Sequence, residues 1–164
     1  MDSAPRYLDI LEVLARHQVE HIVVGGVAAI LEGAPVSTFD LDIVPDPAPE
    51  NRARLLAAVR ELEARYLDPA GRHLVPDEIK LATLRLHQLI TKAGPLDVLA
   101  TIGKAMTYEQ LAGRTHERMV GDLRVRCLNL DAVIESKEQA DRDKDRAALP
   151  ILRRTLELKR QRGS

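Results

Sequence analysis

The order of apolar and polar positions divides the chain into helical and strand-like segments. Residues 5–17 and 50–65 place apolar side chains three and four positions apart, which predicts two amphipathic helices. Between them, residues 21–24 form the short apolar run HIVV, which predicts a buried strand. A short helix is predicted directly after Gly25 and Gly26, in the segment VAAILEG.

The segment FDLDIV, which begins at Phe39, alternates strictly between apolar and acidic positions before it ends. Because successive side chains of a strand point to opposite faces, Phe39, Leu41 and Ile43 are predicted to share one face. Asp40 and Asp42 are predicted on the other face, about 7 Å apart at the backbone. The pattern therefore predicts a strand that presents two carboxylates on the same side.

The second half of the chain predicts two hairpins followed by helices. One hairpin joins residues 84–90 to residues 96–101, and the other turns at Gly121 and Asp122. The remaining predictions are a loop with one helical turn (68–83), a short helix (107–113), a helix near Leu130 capped by Asn129 or Asp131, and a last helix (141–159) kinked or restarted at Pro150. The whole pattern predicts an α/β or α+β fold, with a mixed sheet flanked by helices.

Composition narrows the function classes. Hydrophobic residues make up 45% and charged residues 30% of the 164 residues, so one packed domain is expected. Aromatic residues are only 2%, which argues against a stacking platform for a run of single-stranded bases, and the net charge of -1 gives no global attraction to nucleic acid. The only cysteine, Cys127, excludes an internal disulfide and suits a reducing cytoplasm, and no apolar run is long enough for a membrane span.

Gly25 and Gly26 precede the two aspartates and raise the question of chemistry. Glycine lets backbone N–H groups approach an anion closely where a strand turns into a helix. Two carboxylates on one strand face suit a hard cation such as Mg²⁺, which takes oxygen ligands and completes its shell with phosphate and water. An anion site and a metal site one loop apart together suggest a nucleoside triphosphate (NTP) with its Mg²⁺.

Asp97 is the candidate third carboxylate, because it lies on a predicted strand between Leu96 and Val98. If that strand neighbours the one with Asp40 and Asp42, three carboxylates meet and can bind metal. Each feature also has an ordinary structural explanation: a tight turn for the glycines and a solvated surface for the aspartates. The order of strand, Gly-Gly, helix, Asp-x-Asp and a later aspartate favours the catalytic explanation.

The stretch resembles the nucleotidyltransferase superfamily related to DNA polymerase beta, whose signature is an apolar residue, Gly-Gly or Gly-Ser, a spacer, and Asp-x-Asp or Asp-x-Glu. Here Val24, Gly25 and Gly26 are followed by a spacer of thirteen residues and then Asp40-Leu41-Asp42. More narrowly, the chain resembles the AbiEii-like branch, which includes MenT-type toxins of toxin–antitoxin systems. The late segment LDAVIESKEQADRDKDRAAL matches that branch at three positions, Lys137, Lys144 and Asp145. The resemblance covers about residues 20–150.

The resemblance implies a single nucleotidyltransferase-like domain over residues 1–164, with a core at about 20–128 and C-terminal helices at about 130–160. It implies a cytoplasmic, pyrophosphate-releasing enzyme that transfers a nucleotidyl group from an NTP to an acceptor hydroxyl. The expected acceptor is RNA, such as a tRNA 3′ end, and the expected partner is an antitoxin protein. The implied site residues are Asp40, Asp42 and Asp97 as catalytic metal ligands, Lys137 as catalytic and nucleotide-binding, and Gly25, Gly26, Ser37, Thr38 and Lys144 as nucleotide-binding.

One position departs from the family pattern. Many relatives carry an arginine shortly before the first aspartate, whereas Val36 stands in that neighbourhood here. Ser37 and Thr38 follow it, and their hydroxyls are candidates either for phosphate binding or for local bonds to their own backbone. This departure keeps an alternative open, namely an inactive or protein-nucleotidylating regulatory partner protein on the same fold.

Two further groups of residues have more than one interpretation. The C-terminal basic residues are candidates for RNA phosphate contacts, although a solvated helix end is the favoured explanation: Arg153, Arg154, Lys159, Arg160 and Arg162. The five histidines show no metal-ligand spacing, and only His87, on a predicted strand, is placed to line a cleft.

Overall fold

A mixed sheet of seven strands organises the computed structural model, which describes residues 6–163. The helices are α1 (Arg6–Arg16), α2 (Gly25–Leu31), α3 (Pro49–Glu61), α4 (Glu78–Thr83), α5 (Tyr108–Ala112), α6 (Leu130–Ala140) and α7 (Asp143–Gln161). The strands are β1 (His21–Val24), β2 (Leu41–Pro45), β3 (Arg65–Tyr66), β4 (Leu86–Thr91), β5 (Gly94–Leu99), β6 (Thr101–Ile102), β7 (Met106–Thr107), β8 (Thr115–Val120) and β9 (Leu123–Leu128).

The strand order in the main sheet is β3-β4-β5-β2-β1-β9-β8, and β6 and β7 form a separate two-stranded ribbon. Strand β2 pairs antiparallel with β1 and parallel with β5, while β1 pairs parallel with β9. Both predicted hairpins are confirmed, as β4–β5 and β8–β9. The central position of β2 is the feature that matters most for function, because it brings two distant segments of sequence to the same place.

The core is built from Leu, Val, Ile and Ala, as the low aromatic content requires. Strands β1 and β2 supply side chains that are almost fully buried, including Ile22, Val23, Leu41 and Ile43. Cys127 is a free, buried thiol whose pKa is raised to about 12, first by burial and then by the nearby charge of Glu32. Of the helices between residues 6 and 163, none combines the length and the hydrophobicity needed to cross a bilayer.

Most predicted elements are confirmed, including the cap of α6, where the Asn129 side chain accepts a hydrogen bond from the backbone N–H of Ala132. Of the kink or restart predicted at Pro150, the restart is wrong, since α7 continues through the proline, and the kink stays a prediction. Leu149 and Leu152 on either side of the proline are buried, which holds both halves of the helix against the core. The short strands β3, β6 and β7 have too few residues to leave a periodic signal in the sequence.

The predicted strand from Phe39 is wrong at its start, because β2 begins at Leu41. The backbone N–H of Asp40 donates to Thr38 Oγ1, and that hydroxyl in turn faces the Asp40 carbonyl oxygen, so this segment is turned locally and does not pair with a strand. Phe39 consequently does not share the buried face of Leu41 and Ile43, and is 90% exposed.

Candidate active site

Strands β2 and β5 place two of the predicted carboxylates side by side. Asp42 is the register partner of Asp97 across the parallel β2–β5 pair. Neighbouring strands lie about 4.8 Å apart and paired residues point to the same face, so the two side chains are direct neighbours. The expectation that the Asp97 strand adjoins the Asp-x-Asp strand is therefore confirmed.

The two aspartates carry an electrostatic strain that other charges only partly relieve. Burial raises the pKa of Asp42 to about 7, with further contributions from the charges of Asp97 and Asp40. The pKa of Asp97 is also raised, first by burial and then by Asp40. Lys144 acts in the opposite direction on both groups, and Lys137 does so on Asp42. A cation added between these carboxylates would remove the repulsion that raises both pKa values.

The carboxylates at this site fit a cation that takes its remaining ligands from a substrate and from water. Asp42 Oδ1 is buried and has no hydrogen-bond partner, so a polar atom stands ready for a ligand. Asp40 lies just before β2 and is exposed, at the rim of the pair. Within residues 6–163, no three His, Cys, Asp or Glu side chains are gathered closely enough to enclose a metal by themselves. Mg²⁺ suits this arrangement, because it is usually held by one or two carboxylates plus phosphates and waters.

The glycine pair is required by close contacts at the start of α2. Gly25 has a φ of +66°, and a Cβ atom built there would lie 2.3 Å from Asp42 Oδ2. A Cβ on Gly26 would lie 3.0 Å from the Cβ of Thr38. The glycines thus let the helix backbone approach the Asp42 carboxylate and the Thr38 loop directly, and their predicted phosphate contact stays a prediction.

The loop before β2 shows how the site does without the arginine expected near Val36. Val36 packs against the core, and Ser37 is exposed. Thr38 bonds to the backbone of Asp40, which is the local alternative considered for its hydroxyl. Basic groups reach the carboxylates from elsewhere, namely from the junction between α6 and α7.

Three cations of that junction act on the aspartates. The charges of Lys137 and Lys144 lower the pKa of Asp42, and the charge of Asp42 raises the pKa of Arg142. Arg142 was not singled out from the sequence, since no motif pointed to it. The only available signal was its position just before the matching residues Lys144 and Asp145.

Asp145 holds two of these cations in place. Its side chain is fully buried, accepts hydrogen bonds from Arg142 Nε at 2.7 Å and from the Arg142 backbone, and lies 3.7 Å from Lys137 Nζ. Burial raises the pKa of Asp145, but the bonds from Arg142 and the charges of Arg142 and Lys137 outweigh it and keep the pKa below its usual value. Asp145 is therefore ionised at neutral pH and holds Arg142 and Lys137, whose charges are coupled to that of Asp42.

Four of the five C-terminal basic residues named from the sequence pair with acidic side chains of the same chain. Arg153 pairs with Glu138 at 2.7 Å, Arg154 with Glu157 at 3.2 Å, Arg160 with Asp131 at 3.0 Å, and Lys159 with Glu32 at 3.4 Å. Pairing of this kind suits the solvated-helix explanation better than an RNA-binding patch.

His87 lines a cavity of about 360 Å³ bounded by α3, α4, α5 and the ends of β2 and β5, together with residues such as Leu55, Leu81 and Tyr108. None of the predicted catalytic or nucleotide-binding residues lines this cavity. His87 itself is buried, its Nδ1 lies 2.7 Å from the Tyr66 hydroxyl, and burial lowers its pKa. The carboxylate site is therefore separate from this cavity.

The fold is that of nucleotidyltransferases of known structure. The lincosamide antibiotic adenylyltransferase LnuA, solved with lincomycin, aligns with a TM-score of 0.61 over 92% of this chain and 96% of its own, at 15% sequence identity. The antibiotic-resistance factor ANT(2'')-Ia aligns with a TM-score of 0.59 over 92% of this chain and 82% of its own, at 17% identity. The complex of ANT(2'')-Ia with adenylyl-2''-tobramycin aligns with a TM-score of 0.58 over 92% of this chain and 87% of its own, at 18% identity. No protein-family model and no curated protein matches the sequence.

Proposed function

We propose that this protein is an Mg²⁺-dependent nucleotidyltransferase that moves a nucleotidyl group from an NTP to an acceptor hydroxyl and releases pyrophosphate. The observation that carries the proposal is the register pairing of Asp42 with Asp97, which sets two strained carboxylates side by side. The buried, partnerless Oδ1 of Asp42 supports it, because such an atom costs free energy until a ligand satisfies it. The shared fold with adenylyltransferases supports it as well.

In this proposal, Asp42 and Asp97 hold the metal and Asp40 completes the set from the rim. When bound, Mg²⁺ supplies charge neutralisation for the triphosphate and lowers the pKa of a coordinated hydroxyl. Asp97 also serves as the candidate base for the acceptor proton. Gly25 and Gly26 bring the first backbone N–H groups of α2 close to the carboxylates, where phosphate oxygens are expected.

Lys137, Arg142 and Lys144 supply positive charge for the phosphates in place of the arginine that is absent near Val36. Their charges couple to Asp42, so they lie near enough to act on a metal-bound triphosphate. Charge of this kind stabilises the pyrophosphate as it leaves. Ser37, which is exposed beside the site, remains a candidate hydroxyl contact.

The proposed acceptor is RNA, such as the 3′ end of a tRNA, and the proposed biological role is that of a toxin restrained by an antitoxin partner. Support for these finer assignments comes from the motif resemblance of residues 20–150 to the AbiEii-like branch.

A small hydroxylated molecule is the second candidate acceptor. It is favoured by the structural likeness to a lincosamide adenylyltransferase and to a protein solved with adenylyl-2''-tobramycin. The internal pairing of the C-terminal basic residues points the same way, because it leaves the RNA phosphates without that binding surface. A regulatory partner without turnover, or one that nucleotidylates protein, completes the alternatives.

A transfer assay tests the proposal. The wild type, Asp42→Asn and Asp97→Asn would each be incubated with Mg²⁺ and one labelled NTP at a time. Total tRNA, cell protein, and a panel of aminoglycosides and lincosamides would be offered separately as acceptors. Asp122→Asn is the matched control, because Asp122 is an exposed aspartate in the β8–β9 turn.

Label in tRNA with the wild type and Asp122→Asn, lost in Asp42→Asn and Asp97→Asn, is the expected result. Label in an antibiotic or in protein would support nucleotidyl transfer but contradict RNA as the acceptor. Transfer that persists in both active-site variants would contradict the proposed carboxylate site, and NTP binding without transfer to any acceptor would favour the regulatory partner.

A further inference from the structure

Phe39 is the most exposed large hydrophobic side chain among the described residues, and it is the only phenylalanine in the chain. Full burial of a phenylalanine side chain stabilises a fold by about 2 kcal/mol, and this ring contributes almost none of that. Sequence alternation alone would have placed it on the buried face with Leu41 and Ile43. The fold instead presents it to solvent, one residue before Asp40.

The exposure of Phe39 is fixed by its neighbours. Thr38 is held by its contact with Gly26, where even a Cβ atom would come within 3.0 Å, and by the hydrogen bond that it accepts from the Asp40 backbone. Leu41 is fully buried as the first residue of β2. With both flanks anchored, the ring between them is held in solvent, next in the chain to the site residue Asp40.

Two segments supply different kinds of side chain near the aspartates: the α6–α7 junction supplies cations, and the loop before β2 supplies an aromatic ring. The α6–α7 junction contributes the cations Lys137, Arg142 and Lys144, which suit a triphosphate. The loop before β2 contributes an aromatic face with no charge of its own. An NTP has the same division, with a charged triphosphate at one end and a flat, uncharged base at the other.

We infer that Phe39 is a substrate-binding residue on which the nucleobase of the NTP stacks while its triphosphate lies at Asp42 and Asp97. This inference rests on the proposed function, because it assumes that an NTP binds at the carboxylates. Stacking is tolerant of base identity, since every base has a π face, so Phe39 gives affinity for the base without selecting among the four.

Fluorescence titration of Phe39→Trp tests the inference without any turnover. The chain contains no tryptophan, so this substitution introduces a single emitter at a solvent-exposed position. Each of the four NTPs, and inorganic tripolyphosphate, which has no base, would be added in the presence of Mg²⁺. Ile79→Trp is the matched control, because Ile79 is 75% exposed on α4 and lies outside the site.

Quenching of Phe39→Trp by all four NTPs, with none by tripolyphosphate and none in Ile79→Trp, is the expected result. Quenching by tripolyphosphate alone, or equal quenching in both variants, would overturn the stacking inference. Equilibrium dialysis of Phe39→Ala provides the second measurement. Its NTP affinity should fall about 5- to 10-fold while its tripolyphosphate affinity stays at the wild-type value.

The two proposals fail differently. Wild-type protein that binds neither NTP nor tripolyphosphate with Mg²⁺ would overturn the proposed function together with the stacking. If Phe39→Ala binds NTP as tightly as the wild type does, only the role of Phe39 is overturned. Phe39→Leu separates a ring from mere bulk, since it keeps an apolar side chain and should still lose most of the affinity that alanine loses.

Discussion

Two acidic side chains flank helix α2, the buried Glu32 and the half-buried Asp42, and their surroundings differ. Glu32, just after the C-terminal end of the helix, is almost fully buried and has several partners. Asp42 lies against Gly25 at the other end, and one of its oxygens is buried with none. The comparison separates a carboxylate that holds the fold together from one that is kept available for a ligand.

The Glu32 carboxylate joins three distant segments of the chain. It accepts hydrogen bonds from Arg118 Nε at 2.7 Å, Lys159 Nζ at 3.4 Å and the backbone N–H of Leu130 at 3.2 Å, and His116 Nδ1 lies 3.0 Å away. Burial raises the pKa of Glu32, but the bonds from Arg118 and His116 and the charges of Lys159 and Arg118 outweigh it and lower the pKa. The group is stable as an anion and has no free capacity to bind substrate.

Asp42 has the same burial problem without the same solution. Lys137 and Lys144 act on it only through their charges, and its pKa stays raised at about 7. An ionised carboxylate in this state destabilises the fold when no cation is bound, and cation binding offsets that cost in free energy. Unsatisfied burial of this kind is typical of functional sites.

Removing a site carboxylate should have the largest effect in the molecule. Asp42→Asn or Asp97→Asn should lower the transfer rate about 1,000-fold or more, because the developing charge loses its metal. Glu32→Gln should leave the rate per folded molecule unchanged, because Glu32 touches none of the site residues. Initial rates at matched folded concentrations check both, and comparable losses in all three variants would break the distinction.

The pH dependence of stability should differ between the wild type and Asp42→Asn when metal is removed with EDTA. The folded-state pKa of Asp42, about 7, lies above its unfolded value, so ionisation destabilises the fold. Above pH 7 Asp42→Asn should be more stable by on the order of 4 kcal/mol. As pH falls through 7 towards 4 the wild type gains this stability and the difference closes.

Urea denaturation at several pH values measures that difference. A gap that stays constant between pH 8 and pH 5 would mean that Asp42 is not strained. Added Mg²⁺ should narrow the gap above pH 7, since it stabilises the ionised carboxylate of the wild type only.

Neutralising Glu32 should lower the stability of the protein, whereas neutralising Asp42 should raise it above pH 7. Glu32→Gln should reduce the free energy of unfolding by about 2 kcal/mol, because Arg118 and Lys159 lose the carboxylate that offsets their desolvation. Glu138→Gln, which removes a half-exposed partner of Arg153, is the control and should cost less than about 1 kcal/mol. Thermal and urea unfolding of the pair give the comparison, and equal losses would show that the Glu32 cluster is no more than a surface ion pair.

The last pair of variants compares two glycines, and the smaller effect is expected at the one that has no close neighbour. Gly25→Ala should destabilise the protein by about 2 kcal/mol and also lower activity, because its methyl group would displace the Asp42 carboxylate. Gly71→Ala is matched in backbone, with a φ of +72°, but nothing lies within 4 Å of its added Cβ. It should cost about 1 kcal/mol from strain alone and leave the transfer rate unchanged.

The carboxylate site was largely accessible from the sequence because its signals are local. The spacing of Gly25 and Gly26 before Asp40 and Asp42, and the strand pattern around Asp97, predicted the segments that the fold brings together. The Glu32 cluster left no such signal. Its partners lie up to 127 positions away, and no periodicity records a contact over that distance.

The sequence by itself determined the order of elements, the mixed α/β character and the aliphatic core, because hydrophobic periodicity and glycine positions act over a few residues. Only the tertiary structure decided that β2 lies between β1 and β5, that Phe39 faces solvent, and that the charge of Asp42 acts on Arg142. These outcomes depend on which distant surfaces pack together, and the competition between local hydrogen bonds at Thr38 and strand pairing is settled only by that packing.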